Sequence, residues 1–445
     1  MNMNFLRKNK NFSVFFVGIG GISMSALALY LHNLGFKVSG YDKVESTVTN
    51  NLKRYGISIN TKGDLEGCDI AVLSSAISES DDLVKKLKQL NKTCILRSEL
   101  LNEIANTFQY KVGVAGTHGK TTTTAMIAHV LKKANKNFSA HIGGIDKDFG
   151  NMACFGKEIF LSEVCEYKKN ISKFDCDLAL LLNADDDHLE SYGKLSELHK
   201  EFSAFLMRSK INVLPYEQKE LGNKNSITFS LKNSNADFFA SNIRIGDKNI
   251  ECTVNSAIGA LFDVKINSLL EHDVENAIAS VAVCKALKIE NEYIKKGLED
   301  FNGIKRRNEI MATIYGCDIY ADYAHHPKQI EATVEMLAKK YKKFAILFQS
   351  HTYSRTATLF KGFIKSLSAV ENLFIFDTYA AREKYYYNGS GKRLFENLKG
   401  AVYLGDRVNA KSLFPNACKK FDCIAVIGAG DLYDVIEECI AVNNY

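Results

Sequence analysis

Two hydrophobic rhythms alternate along the first hundred residues of this chain. Short strand-like runs at 14–17, 37–40, 70–74 and 94–96 are separated by stretches at 22–34, 46–55, 81–90 and 98–106, where apolar residues recur every three or four positions. A short apolar run fits a buried strand and a 3.6-residue period fits a helix packed by one face, so their alternation predicts a parallel α/β domain. The rhythm restarts at 111–115, followed by a glycine turn, a helix to about Ala134, and buried strands at 158–163 and 177–183. Between about 226 and 268 the pattern becomes short alternating strands divided by Asn, Asp and Gly turns, and helices follow at 271–287 and 291–299. These predict a second, larger α/β unit with a small β region at its edge. A third unit opens near Gly303, with strands at 309–314, 317–321, 344–348, 373–376 and 423–427 and helices at 327–340, 356–368 and 431–441. No segment of solenoid or propeller length repeats. The expected domains are 1–109, 110–302 and 303–445.

Length agrees, since 445 residues at about 150 per domain suggest roughly three. With 46% hydrophobic and 24% charged residues, 29 Gly and 3 Pro, the chain lies in the ordinary globular range, which excludes disorder, collagen and low complexity. The formal charge of +6 comes without a long block of like charges, so no dedicated nucleic-acid surface is expected. The basic run Lys339-Lys340-Tyr341-Lys342-Lys343 reads as a solvated helix end. Eleven cysteines, an odd number without a C-x-x-C pair, fit reduced thiols in a cytoplasmic protein. Residues 14–31 carry no charge and follow Arg7, Lys8 and Lys10, as in a signal peptide or membrane span, but Gly18, Gly20 and Gly21 interrupt the run. Strand, turn and helix fit it better, and no membrane association is expected.

Four places carry candidate chemistry. Gly18-Ile19-Gly20-Gly21-Ile22-Ser23 joins a strand to a helix, with Asp42 at the end of the next strand. Such a turn can cradle a phosphate on the helix N-terminus or simply allow close packing; Ser23 stands where the strict dinucleotide pattern has glycine. The second, Gly113-Val114-Ala115-Gly116-Thr117-His118-Gly119-Lys120-Thr121-Thr122-Thr123-Thr124, is a compact relative of the Walker loop, with Val114 where the strict spacing has glycine. Its glycines let backbone N–H groups approach a triphosphate, Lys120 neutralises the β and γ oxygens, and Thr121 can ligate magnesium. Third, the strand ending at Asn183 is followed by Ala184-Asp185-Asp186-Asp187-His188, at the sheet edge where open α/β folds bind ligands. His188 is a candidate for metal or phosphate, while the acids can equally cap the next helix. Glu163 closes another strand and is either an oxygen ligand for the same magnesium or a surface carboxylate. Fourth, Ile319-Tyr320-Ala321-Asp322-Tyr323-Ala324-His325-His326-Pro327 runs from strand into helix, with one binding and one structural histidine expected. Arg355, in Ser350-His351-Thr352-Tyr353-Ser354-Arg355, can clamp a carboxylate through its planar fork.

Taken in order, FFVGIGGISMSALA, VSGYD, VLSSAI, VAGTHGKTTTT, NADDDH, GIKRR, YADYAHHP, FQSHTYSRT, DTYAAREK and GAGDLY resemble the motifs of the Mur ligases over nearly the whole chain. The resemblance implies a Rossmann-like N-terminal domain for a UDP-sugar, a central ATPase domain, and a Rossmann-like C-terminal domain that closes over ATP and brings the amino acid. It implies an ATP-dependent amide ligase of peptidoglycan precursor synthesis that joins L-alanine to UDP-N-acetylmuramate through an acyl phosphate. A ligase for another amino acid or a peptide, or a non-catalytic nucleotide-binding paralogue, is the alternative. A nicotinamide oxidoreductase leaves the second phosphate loop unexplained.

By position, the resemblance assigns Gly116, Thr117, His118, Gly119, Lys120, Thr121 and Thr122 to the phosphates of ATP. It assigns Thr121, Glu163 and His188 to Mg2+, Asn276 to the adenine, Arg307 and Asp322 to the γ-phosphate and ribose, and His325 and Arg355 to the amino acid. Gly18, Gly20, Gly21, Asp42, Ser74 and Ser75 would hold the UDP-sugar. Partners would be these small molecules alone, with no nucleic acid or membrane, in a cytoplasmic monomer or weak homodimer. The chain departs from the family pattern at Thr352, where a second arginine is common, and at Lys62-Gly63, where Gly-His is common. It departs again at Glu163-Val164-Cys165-Glu166-Tyr167-Lys168, which replaces EADESD and leaves open a share for Glu166.

Overall fold

In the computed structural model, residues 12–65, 67–74, 77, 81–164, 171–185, 194–381 and 383–442 are described. The first hundred residues alternate as their hydrophobicity predicts, with one added short strand, β3: β1 (Ser13–Val17), α1 (Ile22–Asn33), β2 (Lys37–Tyr41), α2 (Thr47–Arg54), β3 (Ser58–Asn60), β4 (Ile70–Leu73), α3 (Asp82–Gln89), β5 (Thr93–Leu96) and α4 (Arg97–Ala105). The strands form a parallel sheet in the order β3-β2-β1-β4-β5. Because the order reverses between β1 and β4, the crevice at their C-terminal ends is the ligand position of such a sheet. The uncharged 14–31 stretch is thus a strand and a helix, and no described helix is long and apolar enough to cross a membrane.

The central domain contains β6 (Tyr110–Ala115), α5 (Lys120–Lys133), β7 (Phe138–Asp146), β8 (Gly150–Cys154), β9 (Ile159–Glu163), β10 (Leu178–Leu181), α6 (Leu195–Arg208), β11 (Ile211–Pro215), β12 (Ile227–Ser230), β13 (Phe238–Ile245), β14 (Ile250–Ser256), β15 (Gly259–Ile266), α7 (Glu271–Ala286) and α8 (Asn291–Glu299). Its sheet runs β15-β14-β13-β12-β11-β10-β6-β9-β7-β8, parallel from β13 to β7 and antiparallel at both ends. The alternating 226–268 region is therefore one edge of this sheet. From Thr121 to Leu131, α5 is buried without a break, which is why its sequence lacks the polar face of a surface helix. The β7–β8 hairpin, α6 and β11 were absent from the sequence expectation, and the strand expected to reach 183 ends at Leu181.

The first two domains form one compact unit; a second contains Ser268–Leu270 and Gly303–Tyr445. It is built from β16 (Glu309–Ile314), β17 (Cys317–Asp322), α9 (Pro327–Lys340), β18 (Phe344–Phe348), α10 (Tyr353–Thr358), α11 (Phe360–Leu367), β19 (Leu373–Phe376), α12 (Gly391–Glu396), β20 (Val402–Gly405), α13 (Ala410–Ala417), β21 (Cys423–Ile427) and α14 (Leu432–Val442). The order is β16-β17-β21-β18-β19-β20, with only the edge strand β16 antiparallel. The single helix expected at 356–368 is instead α10 and α11, divided at Leu359. Lys339 and Lys340 end α9 exposed, as the basic run implied, and all described cysteines are free thiols.

Candidate functional site

The loop between β6 and α5 lies at the C-terminal edge of the central sheet, with β9 and β10 flanking its strand. Gly119 has φ +81°, and a Cβ there would meet Asn276 Oδ1 at 2.4 Å, so only glycine makes this turn above α7 without strain. Asn183 pins the loop from outside: its carbonyl accepts from Thr117 N–H at 3.1 Å and its Oδ1 from His118 N–H at 2.8 Å. The Asp185 N–H donates to Thr117 Oγ1 at 3.0 Å. Lys120 Nζ donates to the carbonyls of Gly116 and Thr117, which keeps the ammonium over the loop. The N-terminus of α5, where Thr121 and Thr122 lie, supplies positive potential at the same place.

Thr121 Oγ1 donates to Glu163 Oε2 at 2.8 Å. The Glu163 carboxylate fits against β7 only because Gly143 has no side chain; a Cβ there would fall 1.5 Å from Oε1. A hydroxyl and a carboxylate beside a phosphate-type loop form the hard oxygen set magnesium prefers, so the described residues fit that ion. His188, Asp186 and Asp187 lie outside the described residues, as do Ser75 and Glu166. Asn276, expected beside an adenine, is buried under the loop against Gly119, with its Nδ2 donating to Asp273 at 3.1 Å.

In the first domain, Gly18 follows β1, Asp42 follows β2 and Ser74 follows β4, so all three share the sheet's C-terminal edge. Asp42 Oδ2 accepts from Gly20 N–H at 2.8 Å. A carboxylate of the chain thus already engages one of the turn's donors. Gly21 is the N-cap of α1, and Ser23 in its first turn reaches the central domain: its Oγ lies 2.8 Å from His141 Nε2.

In the C-terminal unit, the guanidinium groups of Arg306 and Arg307 stand 5.2 and 5.3 Å from the Tyr323 ring, which meets His325 edge-on at 5.5 Å. Arg306 is bound inward, to the carbonyls of Gly428 and Gly430. The two histidines differ in their surroundings: His326 is buried and caps α9 by accepting from Lys328 N–H, while His325 is half-exposed with Nδ1 2.9 Å from Tyr323 O. Asp322 accepts from Thr333 Oγ1 at 2.8 Å and Ala324 N–H at 3.1 Å. Thr352, the N-cap of α10, has φ +63° and ψ 140°, a costly conformation for a β-branched residue. One helical turn on is Arg355, beside His351, whose pKa burial and that arginine push down to about 4.

The chain matches three family models in sequence: Mur ligase family, catalytic domain, over residues 13–109; Mur ligase middle domain over 114–284; and Mur ligase, glutamate ligase domain, over 306–430. Among curated proteins, UDP-N-acetylmuramate–L-alanine ligase of Caldicellulosiruptor saccharolyticus is 36% identical over 442 residues, covering 95% of this chain and 97% of that protein. The chain belongs to the Mur ligase family. The Acetivibrio thermocellus protein of the same name is 34% identical, covering 98% of this chain and 97% of its own length. Two solved Mur ligase structures share the fold. UDP-N-acetylmuramate-alanine ligase MurC from Thermotoga maritima has a TM-score of 0.84 at 23% identity, covering 97% of this chain and 99% of that one. A murein peptide ligase from Psychrobacter arcticus gives 0.74 at 19%, covering 98% and 99%.

Within this Mur ligase, the sequence did not reveal Asn183 as the residue that holds the 116–119 loop, nor Gly143 and His141. Asn183 had a signal, as a polar residue just past a buried strand. Gly143 had none, since a glycine marks close approach of another group only once it is known to lie inside a strand, and β7 was not legible as one.

Proposed function

We propose that this Mur ligase joins L-alanine to UDP-N-acetylmuramate in peptidoglycan precursor synthesis, at the expense of ATP and in the cytoplasm. The supporting observation is the near full-length relation to proteins named UDP-N-acetylmuramate–L-alanine ligase, which extends through all three domains and not the ATP domain alone. In this reading residues 1–109 take the UDP-sugar, 110–302 take ATP, and 303–445 take the amino acid.

The chemistry follows from what a carboxylate lacks. It is a poor acylating agent, so the γ-phosphate is transferred to the muramyl carboxylate; the amine of alanine then attacks the acyl phosphate, and phosphate leaves. Each stage concentrates negative charge, and the chain answers with preorganised positive groups in place of a nucleophile. Lys120 and the 116–122 loop, through those of its N–H groups that Asn183 does not take, are assigned to the phosphates, and Arg307 to the transferring phosphoryl group. Thr121 and Glu163, with His188, are the proposed magnesium ligands; the ion supplies charge neutralisation on the phosphate oxygens. Gly18, Gly20, Gly21, Asp42, Ser74 and Ser75 are assigned to the UDP-sugar, and Asn276 and Asp322 to the adenine and ribose. His325 and Arg355 are assigned to alanine, with Arg355 binding its carboxylate. Thr352, in place of a second arginine, favours a test against other amino acids and peptides. The experiment is phosphate release from ATP with UDP-N-acetylmuramate and each member of an amino-acid panel. Release with alanine above all others supports the assignment; preference for another amine donor moves it to another Mur-type ligase.

A further inference from the structure

Strand β7 faces two places at once. His141 is 1% exposed, with Nε2 2.8 Å from Ser23 Oγ and Nδ1 3.3 Å from Ser162 Oγ. Ser23 Oγ also accepts from Arg97 Nη1 at 3.0 Å, and Ser162 Oγ donates to the Glu163 carbonyl at 2.9 Å. One set of protons satisfies the whole series. Arg97 donates to Ser23, Ser23 to His141 Nε2, His141 Nδ1–H to Ser162, and Ser162 to the Glu163 backbone; this fixes the imidazole as the neutral Nδ1–H tautomer. Two residues further along β7, Gly143 makes the space that the Glu163 carboxylate fills beside Thr121. A second tether runs parallel, from Asn151 Nδ2 on β8 to Ile22 O at 2.9 Å and Ser25 Oγ at 2.8 Å.

We propose that His141 is a positioning residue that couples occupancy of the 18–23 glycine turn by the diphosphate of a nucleotide sugar to the geometry of the Thr121–Glu163 pair. The series begins in the first turn of the helix that follows the glycine turn and ends on the backbone of the carboxylate assigned to magnesium. It contains no flexible side chain exposed to water at His141. A ligand that orders the turn therefore orders β7 and β9 as well, and by linkage magnesium–nucleotide binding strengthens nucleotide-sugar binding by the same factor. The inference rests on the functional reading above.

The test titrates the non-hydrolysable analogue AMPPNP with magnesium by calorimetry, with and without saturating UDP-N-acetylmuramate, on the full chain. In the wild type the sugar nucleotide is expected to tighten analogue binding about fivefold or more. His141→Val and Ser23→Ala should each bring that ratio to about one, their combination should add nothing further, and His141→Gln should restore part of it. If His141→Val fails to fold, Ser23→Ala carries the same test. A wild-type ratio of one, or variants that keep the wild-type ratio, overturns the proposal. A wild type that binds the analogue and not UDP-N-acetylmuramate overturns the functional reading, and this inference with it.

Discussion

Thr121 and Glu163 are 42 residues apart in sequence, yet the hydroxyl of one donates to the carboxylate of the other at 2.8 Å. The contact joins the first turn of α5 to the end of β9, the strand beside the one that feeds the phosphate loop. It places an oxygen pair beside the 116–119 loop, and the space for it comes from Gly143 on a third element.

Replacing Lys120 by Ala should abolish phosphate release while leaving the fold intact, because its ammonium rests on loop carbonyls and supports no core. Removing such a charge-stabilising group costs about 10² to 10³ in rate. Steady-state kinetics with circular dichroism on the same sample checks it; activity within about threefold of wild type contradicts the loop assignment.

Gly143→Ala should displace the Glu163 carboxylate, since the added carbon would overlap it. Misplacing a positioned group by about 1 Å can cost on the order of 10² in rate. Magnesium half-saturation should rise in step, with little effect on UDP-sugar binding. Unchanged magnesium dependence would remove Glu163 from the metal site.

His141 makes stability depend on pH. Burial, then the nearby Arg97, lowers its pKa from 6.5 to about 3. The unfolded chain therefore binds the extra proton first: stability is full above about pH 6.5 and declines as pH falls towards about 3. At about pH 5 the loss from this group is ~2 kcal/mol. Urea midpoints at about pH 7 and about pH 5 should differ less in His141→Gln than in the wild type; equal differences would contradict a buried neutral imidazole.

The strained backbone at Thr352 should store about 1 to 3 kcal/mol, against about 0.5 to 1 kcal/mol for the entropy of glycine. Thr352→Gly should therefore stabilise the protein by ~1 kcal/mol in denaturant unfolding, and a destabilised variant contradicts the strain. Arg355→Ala should raise the alanine Michaelis constant about tenfold or more, the loss of a charge-assisted contact, with UDP-sugar affinity unchanged.

The parallel α/β architecture was legible because buried strands and packed helices have distinct periods, and Thr121 and Glu163 because strand ends and glycine loops mark ligand edges. The β7–β8 hairpin was not, since His141-Ile142-Gly143-Gly144 breaks the apolar run that signals a strand. The Ser23–His141 contact spans 118 residues, beyond any local pattern, and a lone histidine in a strand reads as core. The break at Leu359 was equally hidden, because α10 and α11 present one continuous apolar rhythm across it. Asn276 was assigned by resemblance to an adenine; its burial under Gly119 is a packing fact that spacing does not encode.

The most direct measurement incubates the purified protein with ATP, magnesium, UDP-N-acetylmuramate and L-alanine and weighs the nucleotide-sugar by mass spectrometry while ADP and phosphate are counted. The account predicts a UDP-sugar heavier by one alanyl residue, formed in equal amount to ADP and phosphate, and none when any one component is left out. Phosphate release with an unaltered UDP-sugar, or release that proceeds at full rate without it, would contradict the account and leave an ordinary ATPase.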